Sequence, residues 1–183
     1  MAKIRAFIRG KPLKVGFQDE ARFGRINDPS ACWAPKGIRP MAKQQMVREY
    51  TYAYGMVCPK EGAFDGLILP SMNGGAMSVF LGEMSKRYPD HYLLMIMDGA
   101  PCHTSGELIV PENIELLFLP PYSPQLNPQE NIWDEMRGKW FGNAVFDSMN
   151  CVEKRMIEAL LALEKDTERI RSICGWEWII SSI

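Results

Sequence analysis

YLLMIMDGAPCHTSGELIVPENIELLFLPPYSPQLNPQENIWDEMRGKW, residues 92–140, holds two short apolar runs, a proline-rich connection and the start of a helix. It opens on an apolar run, Leu93 to Met97, that stops at Asp98. A run this short between polar flanks reads as a buried strand rather than a helix. Asp98 then stands at the carboxyl end of a strand, where open α/β sheets place their chemistry. A second strand is predicted from Ile114 to Leu119. It is closed by Pro120-Pro121-Tyr122-Ser123-Pro124, which can neither continue a ladder nor start a helix until it is over. Asn127-Pro128-Gln129-Glu130 opens a helix, predicted from 128 to about 141, that carries Ile132, Trp133, Met136 and Trp140. This order brings Asp98 and Glu130 together above two neighbouring strand ends. Two converging carboxylates suggest a divalent metal, and a third would strengthen the case.

Upstream, Leu13 to Ala21 alternates, with Val15, Phe17 and Asp19 on one side and Gly16, Gln18 and Glu20 on the other. The side that Asp19 shares faces a packed layer, which favours Asp19 over Glu20 as the functional acid. Residues 22–47, rich in Gly, Pro, Asn and basic side chains, are predicted as a long inserted loop with a short strand near Cys32-Trp33-Ala34. Trp33 could stack on a base, but core filling is the expectation. Arg48 to Cys58 and Phe64 to Leu69 read as a hairpin. Ala76 to Tyr88 reads as a helix with Val79, Phe80, Met84 and Tyr88 on one stripe. A short helix is possible over 104–108. Beyond a loop at 143–150, Asn150-Cys151-Val152-Glu153 has capping-box spacing and opens an amphipathic helix within a C-terminal helical part, 143–183. Antiparallel strands come first, then parallel strands with helices. That order matches a ribonuclease H-like α/β fold: one domain over 1–183, a mixed five-stranded sheet flanked by helices. Its first and fourth strands are neighbours, which sets Asp19 beside Asp98.

Each acid has a competing structural reading. Asp19 could be an ordinary turn acid. Glu130 could serve only the helix start, with Asn127 as N-cap, Pro128 at N1 and Glu130 reaching back to the Asn127 amide from N3. Asp134 and Glu135 are fallback ligands, turned further from the apolar face. His103 is expected behind the ligands or facing DNA. Three carboxylates suit magnesium or manganese, which prefer oxygen donors.

Composition excludes several classes. Hydrophobic residues make up 46% of the 183, and no apolar run approaches membrane-spanning length. The basic start lacks the apolar core of a secretory signal. Five cysteines without a CxxC pair, and only His91 and His103, argue against a disulfide frame, a zinc ribbon or a histidine-rich metal site. Reduced thiols fit a cytoplasmic protein. The net charge of −1 conceals an asymmetry: residues 1–48 carry 11 Lys/Arg against 3 Asp/Glu. Such a basic quarter suits a face for a polyanion as well as it suits a solvated surface.

Three blocks carry a family resemblance: Gln18-Asp19-Glu20-Ala21-Arg22-Phe23-Gly24, Asp98-Gly99-Ala100-Pro101-Cys102-His103, and Leu119 to Glu130. With Trp33-Ala34-Pro35-Lys36-Gly37, they resemble the bacterial insertion-sequence transposases of the mariner superfamily, within the DDE group of retroviral-integrase-like fold. The third block is the most specific. The family's acidic triad falls on Asp19, Asp98 and Glu130, with 31 residues between the last two. The resemblance implies cleavage at transposon ends and joining of a 3′-hydroxyl to target DNA with two magnesium or manganese ions. Asp19 would bridge both ions; Asp98 and Glu130 would each complete one. It also implies a homodimer in the active complex and a nucleoid-associated bacterial setting. Arg22, Arg25, Lys36, Arg39, Lys43, Arg48 and, less directly, His103 are the expected DNA contacts. Family members carry an N-terminal helix-turn-helix region. Here the catalytic strand starts within the first twenty residues, so that region is expected as a separately encoded or frameshift-fused partner. Two further readings stand beside this one: a ribonuclease H-like nuclease, and an inactive or regulatory DNA-binding remnant.

Overall fold

The computed structural model describes residues 10–27, 29–100 and 108–182. Five strands form one sheet: β1 (Leu13–Ile26), β2 (Met46–Cys58), β3 (Ala63–Leu69), β4 (Tyr92–Met97) and β5 (Ile114–Phe118), in the order β3-β2-β1-β4-β5. β1 pairs antiparallel with β2 and parallel with β4. The mixed sheet and the adjacency of first and fourth strands are as the sequence predicts. Among the described residues no helix is long and apolar enough to cross a membrane.

The alternation of β1 sorts the core into two layers. Val15, Phe17, Ala21 and Phe23 pack under α2 (Gln129–Met136), α3 (Met149–Lys165), α4 (Thr167–Cys174) and α5 (Glu177–Ser182). The opposite layer joins Tyr54, Met56, Leu93, Met95 and Met97 to α1 (Gly74–Arg87). α1 starts where the Asn73 side chain accepts from the Ala76 amide, and it ends one turn after Met84 with Lys86 and Arg87 facing the negative helix end. Its buried stripe is Met77, Phe80, Leu81 and Met84; Val79, expected on that stripe, is half exposed.

Four local expectations are corrected. β1 and β2 run on past Ala21 and Arg48 to pair Ile26 with Met46, with a register shift between Gly24 and Ile26. The inserted loop therefore shortens to 27–45 at the expense of its predicted ends. It contains no strand near Cys32 to Ala34, and Trp33 is fully exposed rather than core. A turn closed by Ile38 N donating to Pro35 O, with Gly37 at φ 88, holds Lys36 at its tip. The base of the loop is tied by Asn27, whose side chain bonds Lys43 O and the Gln45 amide. Finally, α3 is capped by Ser148, which accepts from Cys151 N, so Asn150 lies inside the helix and makes no capping box. Residues 101–107, with His103 and most of the predicted short helix, lie outside the described residues, as does Asp28.

Candidate active site

The site is assembled from one strand interior, one strand end and one helix start. Asp19 sits within β1 opposite Gly55 of β2. The parallel ladder that pairs Phe17 with Ile96 points, two residues on, from Asp19 to Asp98. Asp98 follows β4 directly, and its Oδ1 accepts from the Ala100 amide at 3.0 Å, an Asx-type turn. Glu130 lies in the first turn of α2. All three acids line one cavity of about 440 Å³, walled by Leu119 to Pro124 and Asn127.

The helix start answers the question left open for Glu130. Pro128 occupies the cap position and offers no side-chain bond; Asn127 supplies it from one residue earlier, its Oδ1 accepting from Gln129 N at 3.1 Å. The Asn127 amide donates to Pro124 O at 2.9 Å. Its partner is thus a backbone carbonyl and not the Glu130 carboxylate, so the capping-box reading fails. Asn127 also donates from Nδ2 to Gln18 O at 2.9 Å, fastening the helix start to β1 beside Asp19. The fallback acids point elsewhere. Glu135 takes two bonds from Arg169, at 2.9 and 2.6 Å, and Asp134 faces Arg137 at the surface.

Trp133, read from the sequence as core, does a second job: its Nε1 donates to Asp19 Oδ2 at 2.9 Å. A buried indole N–H generally needs a partner, and that rule was the available signal. The reach depends on Gly55. A Cβ there would stand 2.4 Å from Gln129 Nε2 and 2.7 Å from Trp133 Cη2. Gly55→Ala should push α2 off the sheet, costing about 1–3 kcal/mol of stability as overpacking does. Chemical denaturation would measure that loss, and any strand-cleaving activity should fall with it.

The electrostatics are those of crowded carboxylates. Burial, then the negative charges of Glu130 and Glu20, push the Asp19 carboxyl up to about 7, against the Trp133 hydrogen bond. Burial also raises Glu130; Arg137 works against the rise, while Asp134 and Asp98 add to it. Among the described residues no three Asp, Glu, His or Cys side chains close on a point as a ready-made ion cage. The acids instead share a cavity whose all-oxygen donors and unfavourable buried negative charge fit a hard divalent cation.

A second cavity of about 410 Å³ lies beyond α2, where the helix ends in a π-type turn, Arg137–Phe141. Arg22 and Arg137 line it, with their guanidinium groups 4.9 Å from the Tyr50 ring and 5.8 Å from the Phe23 ring. Of the two, Arg137 lies close enough to Glu130 for its charge to act on that carboxyl. Lys36, Arg39, Lys43 and Arg48 are exposed on the loop and the start of β2. Arg25 is held by Glu49 at 2.7 Å and by the Phe146 carbonyl at 2.9 Å. The expected contacts thus separate into exposed cations and one already paired.

Two backbone positions are unusual. Among the described residues, Tyr122 (φ 57) and Asn143 (φ 55) are the non-glycine residues at positive φ. For a bulky L-residue this conformation costs about 1–2 kcal/mol. Tyr122 lines the acid cavity and its side chain is fully exposed.

Residues 14–152 match the family model described as DDE superfamily endonuclease. A curated relative, "Uncharacterized protein y4pE/y4sA" of Sinorhizobium fredii (strain NBRC 101917 / NGR234), is 38% identical over 130 residues, covering 70% of this chain and 96% of the relative. Among solved structures, the Mos1 transposase paired-end complex with left transposon end aligns over 98% of this chain and 57% of that one, at a TM-score of 0.65 and 20% identity. The Mos1 mariner paired end complex with Mn aligns over 92% and 55%, at 0.63 and 18% identity. This chain spans a little over half the length of those Mos1 chains, and at these identities the likeness is one of fold.

Proposed function

The chain belongs to the DDE superfamily endonuclease family, and from that premise we propose that it is a metal-dependent DNA transposase catalytic domain. Its reaction would be phosphodiester hydrolysis at transposon ends and transfer of the resulting 3′-hydroxyl to target DNA. The observation that carries this reading is the single cavity lined by Asp19, Asp98 and Glu130. These carboxylates, Asp19, Asp98 and Glu130, would hold the two magnesium or manganese ions. Ions held there would activate the attacking oxygen and stabilise the leaving oxygen. The chain's own part is placement. Trp133 fixes one Asp19 oxygen, Asn127 locks the start of α2 to β1, and the Ala100 amide orients Asp98. Arg137, whose charge acts on Glu130, and the exposed Arg22 would receive phosphates of the bound strand.

The test is cleavage of duplex DNA by the full chain with Mg²⁺ or Mn²⁺, with Asp98→Asn as control and an RNA·DNA hybrid as competing substrate. Metal-dependent cleavage of DNA that Asp98→Asn abolishes supports the reading. Cleavage of the hybrid alone would replace it with a ribonuclease.

The exposed cations of loop 27–45 belong to the same proposal, as part of a DNA-facing or subunit-bridging element. Replacing Lys36, Arg39 and Lys43 with Ala should weaken DNA binding. Each lost phosphate contact should flatten the log K against log salt slope by about 0.9. The melting temperature should hardly move, because all three side chains are solvent-exposed. Binding isotherms at a series of salt concentrations measure the slope. An unchanged slope with a large loss of stability would make the loop structural.

A further inference from the structure

We propose that Arg169 is a positioning residue for strand cleavage: through Glu135 it fixes the rotation of α2 about its axis, and so the aim of Glu130 into the acid cavity. The proposal rests on reading that cavity as a DNA-cleaving site. Arg169 acts at a distance and takes no part in bond making.

α2 has 8 residues, too few to hold a setting by propensity alone. Its face towards the sheet carries the buried Ile132, Trp133 and Met136. Apolar packing is non-directional, so it holds the helix down without choosing its rotation. Direction comes from polar bonds. Asn127 and Trp133 fasten the start and the middle of the helix to β1. On another flank, Pro128, Asn131 and Glu135 follow at helical spacing, and each is bonded to α4. Cys174 Sγ donates to the Pro128 carbonyl at 3.2 Å, and Asn131 Nδ2 donates to the Ile173 carbonyl at 2.6 Å. Arg169 gives Glu135 two bonds, from Nε at 2.9 Å and from Nη2 at 2.6 Å. A guanidinium fork on a carboxylate fixes orientation as well as distance. It holds the last turn of α2. Glu130 lies across the sheet-facing stripe from this flank, so turning the helix swings Glu130 within the cavity it lines.

A brace works only if it is itself held. Asp166 both closes α3 and caps α4, where its side chain accepts from the Arg169 amide at 3.0 Å. α3 is bonded to β3 through Glu164, which accepts from the Gly66 amide at 3.1 Å. The first turns of α4 rest on the turn between β2 and β3 at Gly62, where a Cβ would stand 2.6 Å from both Thr167 O and Arg171 Cγ. A path of fixed elements therefore runs from β3 through α3 and α4 to α2. Misplacing a reacting group by about 1 Å can cost roughly 10²-fold in rate. A surface ion pair that adds little to stability can thus matter to catalysis.

The experiment compares the full chain with Arg169→Ala in four readouts: Mn²⁺-dependent cleavage of duplex DNA, Mn²⁺ affinity by calorimetry, the melting temperature, and the Trp133 indole N–H resonance of the metal-free protein. In Arg169→Ala, kcat should fall roughly 10- to 100-fold at nearly unchanged KM for DNA. Mn²⁺ should bind several-fold more weakly, the indole resonance should move, and the melting temperature should stay close to wild type. Arg169→Lys keeps the charge without the fork and should recover only part of the rate. Exchanging the partners, Arg169→Glu with Glu135→Arg, should recover most of it. The proposal is overturned if Arg169→Ala matches wild type in cleavage, Mn²⁺ binding and indole resonance, or if it melts far below wild type, since the pair would then serve folding. A folded exchange variant that recovers no activity overturns it too. Wild-type behaviour of Arg169→Ala, beside cleavage that Asp98→Asn abolishes, sinks the brace and leaves the catalytic reading. A moved resonance and weaker Mn²⁺ binding in Arg169→Ala, without metal-dependent cleavage by wild type, does the reverse.

Discussion

Glu130→Gln should abolish metal-dependent strand cleavage while leaving the folded chain almost as stable as before. The substitution removes one charged oxygen donor from the acid cavity and changes little else. Lewis-acid stabilisation of this type supplies several kcal/mol of transition-state energy, so the loss in rate should be on the order of 10³-fold or more. Stability is spared because Glu130 contributes nothing to capping. Asn127 caps the helix through the Gln129 amide, and the Asn127 amide itself is taken by Pro124 O. Glu130 is moreover held above its ordinary carboxyl range, mainly by burial, so a neutral amide relieves an unfavourable charge. Cleavage rates with Mn²⁺ and a thermal melt of the same preparation check both halves. Surviving cleavage in Glu130→Gln, beside none in Asp98→Asn, would mean that Glu130 is not the third ligand.

Asp19→Asn should raise stability and abolish cleavage together. The Asp19 carboxyl is pushed up to about 7 by burial and by its acidic neighbours, from an ordinary 3.8. Between those values the folded chain binds a proton that the unfolded chain releases. The contribution of this group to stability is therefore greatest below pH 4 and is lost as pH rises towards 7. Above pH 7 the ionised, buried carboxylate should destabilise the chain by on the order of 2–4 kcal/mol. Asn keeps an oxygen for the Trp133 indole N–H but carries no charge. Urea denaturation at pH 5 and pH 8, in metal-free buffer, should show wild type losing stability at the higher pH relative to Asp19→Asn. Equal pH dependence in the two proteins would mean that Asp19 is not the strained acid.

The strands and their order were legible because each has a local signature. Leu93 to Met97 is a closed apolar run, β1 alternates, and the proline-rich segment after β5 can only be a connection. Asp98 and Asp19 followed as acids that packing does not explain. What stayed hidden depends on partners distant in sequence. The continuation of β1 to Ile26 is set by its ladder with β2, and residues 22–26 looked like loop because Gly24 and two arginines break the apolar pattern. Trp33 looked like core since nothing in the sequence says that a tryptophan lies on an exposed loop. The bonds Trp133–Asp19 and Asn127–Gln18 join residues more than a hundred positions apart. The cap shift from Asn150 to Ser148 is of another kind: two adjacent polar residues compete for one helix end, and local spacing does not choose between them.

Titration of Mn²⁺ into the full chain by calorimetry, beside Asp98→Asn and Glu130→Gln, shows whether the acid cavity holds an ion. Wild type should bind saturably, and either substitution should weaken binding at least about 10-fold, a change of roughly 1.4 kcal/mol, with all three proteins folded. Equal Mn²⁺ binding by the three would contradict this, since the acids that line this cavity would then hold no ion.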